Sequence, residues 1–468
     1  MAAICNSKET AEVLLSHGAN VNEKDKDGQT ALHIAAICNS KETAEVLLSH
    51  GANVNEKDKD GQTALHIAAR YNNRKETAEV LLSHGANVNE KDKDGQTALH
   101  IAAICNSKET AEVLLSHGAN VNEKDKDGKT ALHIAARYNN RKETAEVLLS
   151  HGANVNEKDK DGQTALHIAA ICNSKETAEV LLSHGANVNE KDKDGQTALH
   201  IAARYNNRKE TAEVLLSHGA NVNEKDKDGQ TALHIAAICN SKETAEVLLS
   251  HGANVNEKDK DGQTALHIAA RYNNRKETAE VLLSHGANVN EKDKDGQTAL
   301  HIAAICNSKE TAEVLLSHGA NVNEKDKDGQ TALHIAARYN NRKETAEVLL
   351  SHGANVNEKD KDGKTALHIA ARYNNRKETA EVLLSHGANV NEKDKDGKTA
   401  LHIAARYNNR KETAEVLLSH GANVNEKDKD GQTALHMAAI CNSKETAEVL
   451  LSHAVKAALY IINNFKYK

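Results

Sequence analysis

The chain has 468 residues, of which 60 are Lys or Arg and 67 are Asp or Glu, and its formal net charge at pH 7 is -7. Because it has no basic surplus with which to release counterions from a nucleic acid, this balance excludes a general nucleic-acid binder. No apolar run approaches the roughly 18 residues that a membrane span needs, and the first ten residues do not resemble a signal peptide. Seven cysteines without a CxxC pair indicate thiols in a reducing compartment, so we expect a cytoplasmic or nuclear protein.

An Asp-Gly pair recurs along the chain at spacings of 33 or 34 residues. A period of this length indicates a stacked repeat array, in which each small unit is covered by its neighbours. The period therefore replaces the three globular domains that the length alone would suggest. The aspartates of these pairs are Asp27, Asp60, Asp94, Asp127, Asp161, Asp194, Asp228, Asp261, Asp295, Asp328, Asp362, Asp396 and Asp430.

The first unit, residues 1–26, is truncated. Met1 to His17 repeats Met437 to His453 residue for residue, so the chain begins within the first helix of a repeat. The residues that would start this helix are missing, and we expect an exposed, frayed N-terminal face. One hypothesis is that the chain is a fragment of a longer array and starts at an internal methionine.

The stretch from Asp161 to Lys193 shows the pattern of a full unit. Thr164 precedes the run ALHIAA and can accept hydrogen bonds from the free amides of a first helical turn. Leu166 and Ala169 lie on one side of this helix and Ile168 lies on another. A helix of about seven residues with two apolar sides is too short to be stable alone, so it must be covered on both sides.

A second helix follows in the same unit. Ser174 is in position to cap it, and Ala178, Leu181 and Leu182 form its apolar stripe. Gly185 follows the last turn, where a left-handed glycine ends many helices. The remaining stretch, NVNEKDKDG, is polar and contains the strong Asp-Gly turn signal, so it predicts a projecting, hairpin-like finger.

The motifs of this unit together resemble the ankyrin repeat. They are Thr-x-Leu-His-x-Ala-Ala, then a helix with Leu-Leu, then Gly-Ala-Asn-Val-Asn, and Ala stands where the family motif usually has Pro. The resemblance implies an all-α fold, an ankyrin-repeat solenoid of stacked antiparallel helix pairs joined by projecting hairpin-like fingers. It also implies that partners bind in the concave groove beside the fingers.

Residues 27–429 are predicted to form twelve full repeats of two types. One type carries Ile-Cys-Asn-Ser and has 33 residues, and the other carries Arg-Tyr-Asn-Asn-Arg and has 34. The extra residue falls in the loop between the two helices, where it is readily accommodated. In the longer type, Asn207 followed by Glu210 resembles a capping box that would start the second helix.

The last repeat, residues 430–453, is partial and lacks the glycine that ends the second helix elsewhere. Val455, Leu459 and Ile462 follow at spacings of four and three residues, which is typical of an amphipathic helix. We therefore expect residues 454–468 to form a C-terminal capping helix or tail. Such a helix would cover the apolar end of the array.

The 27 histidines form two sets, thirteen in Leu-His pairs of the first helix and fourteen in Ser-His pairs that end the second. The resemblance implies that the first set bonds the capping threonine and nearby backbone. The second set suits the negative end of a helix. A metal site needs clustered ligands and a nucleophile needs a unique partner, whereas these histidines repeat without variation. We therefore expect no metal, no cofactor, no catalytic residue and no enzymatic activity.

The dipeptide at the end of the first helix varies between Ile-Cys and Arg-Tyr, and Tyr and Arg are favoured interface anchors. An Ile-Cys repeat with Gln after the Asp-Gly has three lysines against five acidic residues, a charge of -2. An Arg-Tyr repeat has two more cations, so it is neutral with Gln and +1 with Lys. Three consecutive Arg-Tyr repeats, beginning at Asp328, Asp362 and Asp396, therefore form a basic stretch in an acidic chain.

This basic stretch is where we predict partner binding. The expected ligand is another protein, either an acidic, extended segment or a multivalent partner held by repeated weak contacts. In the alternative hypothesis, the two dipeptides are neutral relics of duplication. The predicted residues are Arg338, Tyr339, Lys364, Arg372, Tyr373, Lys398, Arg406 and Tyr407.

The sequence thus predicts a non-catalytic scaffold or adaptor for protein–protein interaction. The alternative is a structural spacer or elastic rod without a specific ligand site. Discrete, stoichiometric partners would favour the scaffold, and their absence would favour the spacer. The sequence leaves the identity of the partner and the oligomeric state open.

Overall fold

The protein is described by a computed structural model that covers residues 7–71, 74–138, 142–205, 209–272, 276–339, 343–373, 377–407 and 410–465. Across these residues the chain has 27 α-helices and no β-strand, so the prediction of an all-α fold is confirmed. The chain divides into two compact units. The first comprises residues 1–227 with 250–252, and the second comprises residues 228–249 with 253–468.

The first compact unit contains thirteen helices. Even-numbered helices are the first helix of a repeat, and odd-numbered helices are the second. They are α1 (Lys8–Ser16), α2 (Ala31–Ile37), α3 (Lys41–Ser49), α4 (Ala64–Ala69), α5 (Lys75–Ser83), α6 (Ala98–Cys105), α7 (Lys108–Ser116), α8 (Ala131–Ala136), α9 (Lys142–Ser150), α10 (Ala165–Cys172), α11 (Lys175–Ser183), α12 (Ala198–Arg204) and α13 (Lys209–Ser217).

The second compact unit contains the other fourteen helices, apart from the last residue of α15. They are α14 (Ala232–Cys239), α15 (Lys242–Ser250), α16 (Ala265–Arg271), α17 (Lys276–Ser284), α18 (Ala299–Cys306), α19 (Lys309–Ser317), α20 (Ala332–Arg338), α21 (Lys343–Ser351), α22 (Ala366–Tyr373), α23 (Lys377–Ser385), α24 (Ala400–Arg406), α25 (Lys411–Ser419), α26 (Ala434–Ile440) and α27 (Lys444–Phe465).

The core of each repeat lies between its own two helices and those of its neighbours. Helix α10, for example, packs on α8, on α12 and on its own partner α11. Leu166 is 1% exposed and Ile168 is 7% exposed, so α10 is covered on both of its apolar sides, as the pattern predicts. In α11, Ala178 and Leu181 are fully buried. Short helices that cannot persist alone are therefore stabilised by stacking.

The first helix begins after its predicted N-cap, Thr164, and a buried histidine completes the cap. The Thr164 amide donates to Nδ1 of His167 over 3.1 Å, and the Thr164 hydroxyl lies 2.9 Å from the same nitrogen. Nε2 of His167 lies 3.1 Å from the carbonyl oxygen of Gln196 in the next repeat. The structural role that the resemblance implies for the Leu-His histidines is confirmed, and the ring also joins neighbouring repeats.

The second helix begins after Ser174, but the predicted hydroxyl cap is wrong. The Ser174 carbonyl accepts the amide of Ala178 over 2.9 Å, whereas its side chain makes no hydrogen bond to the amides of the first turn. The Ser174 backbone, with φ -87° and ψ 72°, lies outside the extended region that a side-chain cap needs. Gly185 has φ +84°, which confirms the left-handed end of α11. The predicted Asn207–Glu210 capping box lies outside the described residues.

The finger of this repeat is a closed turn. The amide of Asp192 donates to the Gln196 carbonyl, and the amide of Gly195 donates to the Asp192 carbonyl, each over 3.0 Å. Oδ1 of Asp192 accepts the amides of Asp194 and Gln196, each over 2.9 Å. The connection is hairpin-like, as predicted, although the described fingers contain no β-strand.

Neighbouring fingers are joined by ion pairs that recur at most junctions. Nζ of Lys158 lies 2.6 Å from Oε1 of Glu190 and also donates to the Lys191 carbonyl over 3.0 Å, and this hydrogen bond to the carboxylate lowers the pKa of Glu190. Because these pairs are partly exposed, each contributes only about 0–1 kcal/mol. The pairs are Lys24–Glu56, Lys57–Glu90, Lys91–Glu123, Lys124–Glu157, Lys158–Glu190 and Lys191–Glu224 in the first unit, and Lys258–Glu291, Lys292–Glu324, Lys325–Glu358, Lys359–Glu392 and Lys393–Glu426 in the second.

Both ends of the chain expose apolar side chains, and in α1 these are side chains that interior repeats bury. In α1, Val13 is 57% exposed and Leu14 is 50% exposed. Helix α27 continues past His453 to Phe465, and Val455 on it is 57% exposed. The side chains of Leu459 and Ile462 lie outside the described residues, so the capping role of this helix stays a prediction.

A buried hydrogen bond joins an Arg-Tyr repeat to the Ile-Cys repeat that precedes it, and in the part of the chain that the structure describes the equivalent hydroxyl of an Ile-Cys repeat does not make it. The Thr211 hydroxyl, on α13 of an Arg-Tyr repeat, donates to Oδ1 of Asn173 in the preceding Ile-Cys repeat over 2.8 Å. The equivalent hydroxyl of Thr177, in an Ile-Cys repeat, is buried and has no hydrogen-bond partner among the described residues. The same Thr–Asn bond joins Thr77 to Asn39, Thr144 to Asn106, Thr278 to Asn240 and Thr345 to Asn307.

We predict that Thr211→Val and Thr177→Val have different effects on the free energy of unfolding. Val has nearly the shape of Thr, so the pair isolates the hydroxyl. Thr211→Val should cost about 1 kcal/mol because it removes a buried hydrogen bond, while Thr177→Val should be neutral or stabilising. Urea unfolding of the two variants checks this. An equal loss in both would mean that Thr177 has a partner outside the described residues.

Candidate protein-binding surface

The first helix ends differently in the Ile-Cys repeat at Asp161 and in the Arg-Tyr repeat at Asp194, whereas in the Arg-Tyr repeat at Asp362 it continues through Tyr373. In the Ile-Cys repeat, α10 continues to Cys172 and ends at Asn173 in a left-handed conformation, with φ +56°. In the Arg-Tyr repeat, α12 ends at Arg204, and Tyr205 is extended, with φ -115° and ψ 129°. Asn tolerates the left-handed conformation better than Tyr does, so the backbone that follows the helix has a different conformation in these two repeats. The tyrosine ring remains accessible, and Tyr205 is 41% exposed.

The eight predicted residues lie in the second compact unit, and we call them the basic face. Tyr339, Arg372, Tyr373 and Arg406 are exposed, and the other four are half-buried. Seven of the eight line two clefts, each between consecutive repeats. The basic face consists of Arg338, Tyr339, Lys364, Arg372, Tyr373, Lys398, Arg406 and Tyr407.

The first cleft lies between the repeats that begin at Asp328 and Asp362 and has a volume of about 330 Å³. The ring of Tyr373 lies 4.8 Å from the guanidinium carbon of Arg372 and 5.5 Å from that of Arg338. Two guanidinium groups near one aromatic ring interact favourably with its π-electrons, which helps to position the tyrosine. The first cleft therefore presents an aromatic ring held between cations of two repeats.

The second cleft lies between the repeats that begin at Asp362 and Asp396 and has a volume of about 170 Å³. Lys364 and Arg372 line both clefts, so this repeat contributes to each. The ring of Tyr407 and the side chain of Met437 also line the second cleft. Its charged lining residues are Lys364, Arg372, Lys398, Arg406, Asp394 and Asp396.

The residue after the Asp-Gly pair determines whether the guanidinium group of the arginine eight positions later is hydrogen-bonded. With Gln at this position, as in the repeat at Asp328, Nη2 of Arg338 donates to Oε1 of Gln330 over 3.0 Å. With Lys at this position, the lysine instead approaches its own aspartate, and Nζ of Lys364 lies 2.9 Å from Oδ2 of Asp362. This hydrogen bond from Lys364 lowers the pKa of the Asp362 carboxyl.

Replacement of Gln by Lys therefore adds a cation and also removes the acceptor of the arginine. In the described part of the chain, the guanidinium groups of Arg137, Arg372 and Arg406 make no hydrogen bond, and each lies eight residues after a lysine that follows the Asp-Gly pair. The equivalent arginines in repeats with Gln are bonded. They are Arg70 with Gln62, Arg204 with Gln196, Arg271 with Gln263 and Arg338 with Gln330.

The structure adds residues that the sequence pattern did not single out. Gln330 binds the predicted Arg338, while Asp394 and Asp396 line the second cleft. Tyr339 is 40% exposed but lines neither cleft. The sequence did contain a signal for the Gln–Arg contact, because Gln alternates with Lys only in the Arg-Tyr repeats. The eight-residue spacing between Gln330 and Arg338 can be interpreted only from the structure, because the finger turns back over the helix and brings the two side chains together.

A comparison with protein families finds matches over nearly the whole chain to the family described as Ankyrin repeats (3 copies). The matched ranges overlap and extend from residue 1 to residue 460. The chain belongs to the ankyrin repeat family. The matched ranges are residues 1–92, 88–159, 123–192, 140–226, 185–259, 218–293, 254–326, 288–360, 322–394, 354–428 and 386–460. No curated protein matches the chain.

Membership of the ankyrin repeat family confirms the predicted family and the fold, an all-α solenoid of stacked helix pairs. Ankyrin repeats are generally protein–protein interaction modules and are generally non-catalytic. In the described residues, no three His, Cys, Asp or Glu side chains are arranged so as to hold a metal ion. No helix within these ranges combines the length and the apolar character that crossing a membrane requires.

Proposed function

We propose that this ankyrin repeat protein is a non-catalytic scaffold whose basic face binds an acidic, extended segment of another protein. The observation that carries the proposal is the pair of adjacent clefts between three consecutive Arg-Tyr repeats. Each cleft combines an accessible tyrosine with cations from two repeats. Arg and Tyr contribute large, partly apolar contact areas together with hydrogen-bond donors, which is why they dominate binding energies at protein interfaces.

The charge distribution supports an acidic partner. The repeats at Asp362 and Asp396 each carry a formal charge of +1, from six Lys and Arg against five acidic residues, whereas an Ile-Cys repeat with Gln carries -2. The chain as a whole is acidic, at -7. An acidic segment is therefore repelled by the five full Ile-Cys repeats and attracted to this stretch, where two repeats with a charge of +1 are adjacent, which gives binding a preferred position and a faster association rate.

The tyrosines provide a test of the basic face. The variant Tyr339→Ala, Tyr373→Ala and Tyr407→Ala should weaken binding of a partner isolated from native cells by at least about tenfold, because aromatic interface anchors typically contribute more than about 1.4 kcal/mol in total. Titration of the partner into the purified chain measures the dissociation constant. Because Tyr339 and Tyr373 are exposed and Tyr407 is half-buried, their removal should shift the unfolding transition only slightly.

A matched control exists in the first compact unit. Tyr71, Tyr138 and Tyr205 occupy the same position in isolated Arg-Tyr repeats and are 42%, 39% and 41% exposed. Their replacement by alanine should leave the affinity within about twofold of the original. Equal losses in both triple variants would show that tyrosines bind anywhere on the array, which contradicts a specific basic face. If no stoichiometric partner can be isolated, the spacer function is favoured instead.

We also propose that the scaffold works in a reducing compartment, the cytoplasm or the nucleus. No disulfide joins any of the six cysteines in the described ranges, and all six are half-buried. Their positions, 67 residues apart in most cases, place consecutive cysteines two repeats from each other. Localisation of the tagged protein by fluorescence microscopy tests this proposal.

A further inference from the structure

The second cleft brings four cations from two repeats around one small space. Two carboxylates also line it, so the formal excess of its lining residues is two positive charges, and Lys364 is in addition paired with Asp362, which does not line this cleft. Because the cleft lies between repeats, each repeat supplies only one lysine and one arginine. Two adjacent Arg-Tyr repeats with Lys after the Asp-Gly pair are therefore needed to build it. The four cations are Lys364, Arg372, Lys398 and Arg406.

The two carboxylates do not neutralise the arginines. Asp394 is 9% exposed, and its Oδ1 accepts the backbone amides of Asp396 and Lys398 over 2.9 and 2.8 Å. The Asp396 side chain is 74% exposed and lies 3.8 Å from Nζ of Lys398. Within the described residues, the guanidinium groups of Arg372 and Arg406 have no carboxylate partner. Their donors remain available to an anion from outside the chain.

We infer that the second cleft binds a phosphate monoester on a side chain of the partner protein. Such a group carries about two negative charges at neutral pH and three strong acceptor oxygens, which matches the excess charge of the cleft. Guanidinium groups bind phosphate oxygens in a bidentate manner, and ammonium groups add charge. The volume of about 170 Å³ suits a single anionic group on a side chain. This inference rests on the proposed function, since the phosphorylated residue belongs to the same bound segment.

The chain contains a natural control for this site. A third cleft, of about 190 Å³, surrounds the isolated Lys129 and Arg137 in the first compact unit. Ile104 of the neighbouring Ile-Cys repeat stands there in place of a second basic pair, and two aspartates, Asp125 and Asp127, line the cleft. Its formal excess charge is therefore zero, from two cations and two carboxylates. The third cleft should not bind the phosphate group.

The experiment uses the full chain and three fluorescent peptides of otherwise neutral sequence, with phosphoserine, serine or glutamate at one position. Fluorescence anisotropy should show the phosphoserine peptide bound about tenfold more tightly than the serine peptide, since hydrogen bonds between two charged groups are roughly twice as strong as those between neutral groups. The double variant Lys364→Gln and Lys398→Gln should abolish this preference. Gln removes the cations and should also bind Arg372 and Arg406, as Gln330 binds Arg338.

The variant Lys129→Gln makes the same chemical change at the third cleft and should leave the preference unchanged. All of these variants should fold, because Gln occupies this position in the other repeats. An equal loss in Lys129→Gln, or equal affinity for the phosphoserine and glutamate peptides, would overturn the inference. The inference would also be overturned if inorganic phosphate alone bound as tightly as the phosphoserine peptide, since the cleft would then be a site for the free ion.

The isolated partner separates this inference from the proposed function. If phosphatase treatment of the partner weakens its binding by about tenfold, the phosphate inference is supported. If the treated partner binds equally well and still requires the three tyrosines of the basic face, the inference fails and the scaffold function stands. If the tyrosine variant binds normally as well, the proposed function fails too.

Discussion

Lowering the pH from 7.5 to 5.5 is expected to reduce the melting temperature of the array by up to about 10 °C. The cause is the row of buried Leu-His histidines, which are 1–2% exposed in the interior repeats. Burial lowers the pKa of ten of them below the ordinary value of 6.5, and the hydrogen bond from the ring to a backbone carbonyl of the next repeat only partly opposes this. They are His33, His66, His100, His133, His167, His267, His301, His334, His368 and His402.

The hydrogen bonds explain why the folded array needs the neutral ring. Nδ1 of His167 accepts the Thr164 amide, so this nitrogen cannot carry a proton, and Nε2–H donates to the Gln196 carbonyl. Protonation would place a second N–H against the Thr164 amide and would bury a charge. In the unfolded chain the ring is protonated at its ordinary value. Stability is therefore complete above about pH 6.5 and is lost as the pH falls from there towards the lowered folded value.

The size of the effect comes from repetition. At one pH unit below the ordinary value, each ring that stays neutral costs at most about 1.4 kcal/mol, and an average cost of about 1 kcal/mol per ring amounts to roughly 10 kcal/mol for ten rings. With an unfolding entropy of about 2.1 cal/mol/K per residue, this corresponds to about 10 °C for a chain of this length. The finger glutamates remain charged in this range, because hydrogen bonds from lysine lower the pKa of their carboxyl groups, as Lys158 does for Glu190.

Two triple variants distinguish the buried rings from histidine in general. His100→Gln, His133→Gln and His167→Gln together should reduce the pH-dependent shift by about three-tenths, although they cost stability at pH 7.5. The control replaces His117, His151 and His184 by Gln, which are exposed at the ends of second helices, and should keep the full shift. Differential scanning calorimetry at both pH values measures this. A melting temperature that stays flat from pH 7.5 to 5 would contradict the neutral, buried network.

The substitution Gly162→Ala is expected to destabilise one junction by about 3 kcal/mol. Gly162 has φ +76°, and a Cβ there would lie 2.9 Å from the backbone nitrogen of Lys193 in the next finger. That nitrogen donates to the Asp161 carbonyl over 3.0 Å. Alanine therefore adds the strain of a left-handed residue, about 1–2 kcal/mol, and forces apart two backbones that are hydrogen-bonded.

The matched control is Gly185→Ala. Gly185 has φ +84°, but no atom lies within 4 Å of the position of its Cβ, so only the conformational strain applies. It should cost about 1–2 kcal/mol. Hydrogen exchange should show faster exchange of the Lys193 amide in Gly162→Ala but not in Gly185→Ala. Because neighbouring repeats stabilise each other, a weakened junction should also broaden or split the urea transition. Equal effects of both substitutions would show that the fingers are not held by this backbone contact.

Local pattern was sufficient to predict the repeats and their helices. The start of α10 at Thr164 and the left-handed Gly185 depend on backbone preferences that act over a few residues, so the sequence carried them directly. The cap at Ser174 was predicted wrongly, because its conformation is set where the chain turns between two packed helices. The left-handed Asn173 and its bond from Thr211 were not predicted, since that contact joins residues 38 positions apart.

The sequence by itself determined the array: a period of 33 or 34 residues, helices too short to be stable alone, and a basic stretch formed by three Arg-Tyr repeats. Only the tertiary structure decided which cations meet. Lys364 and Arg406 are 42 positions apart, yet they line one cleft because consecutive repeats stack and each finger turns back over its own helix. Gln330 reaches Arg338 because of that turn, whereas Lys364 leaves Arg372 without this bond. The charge of a cleft therefore follows from neighbouring repeats together and not from the composition of one.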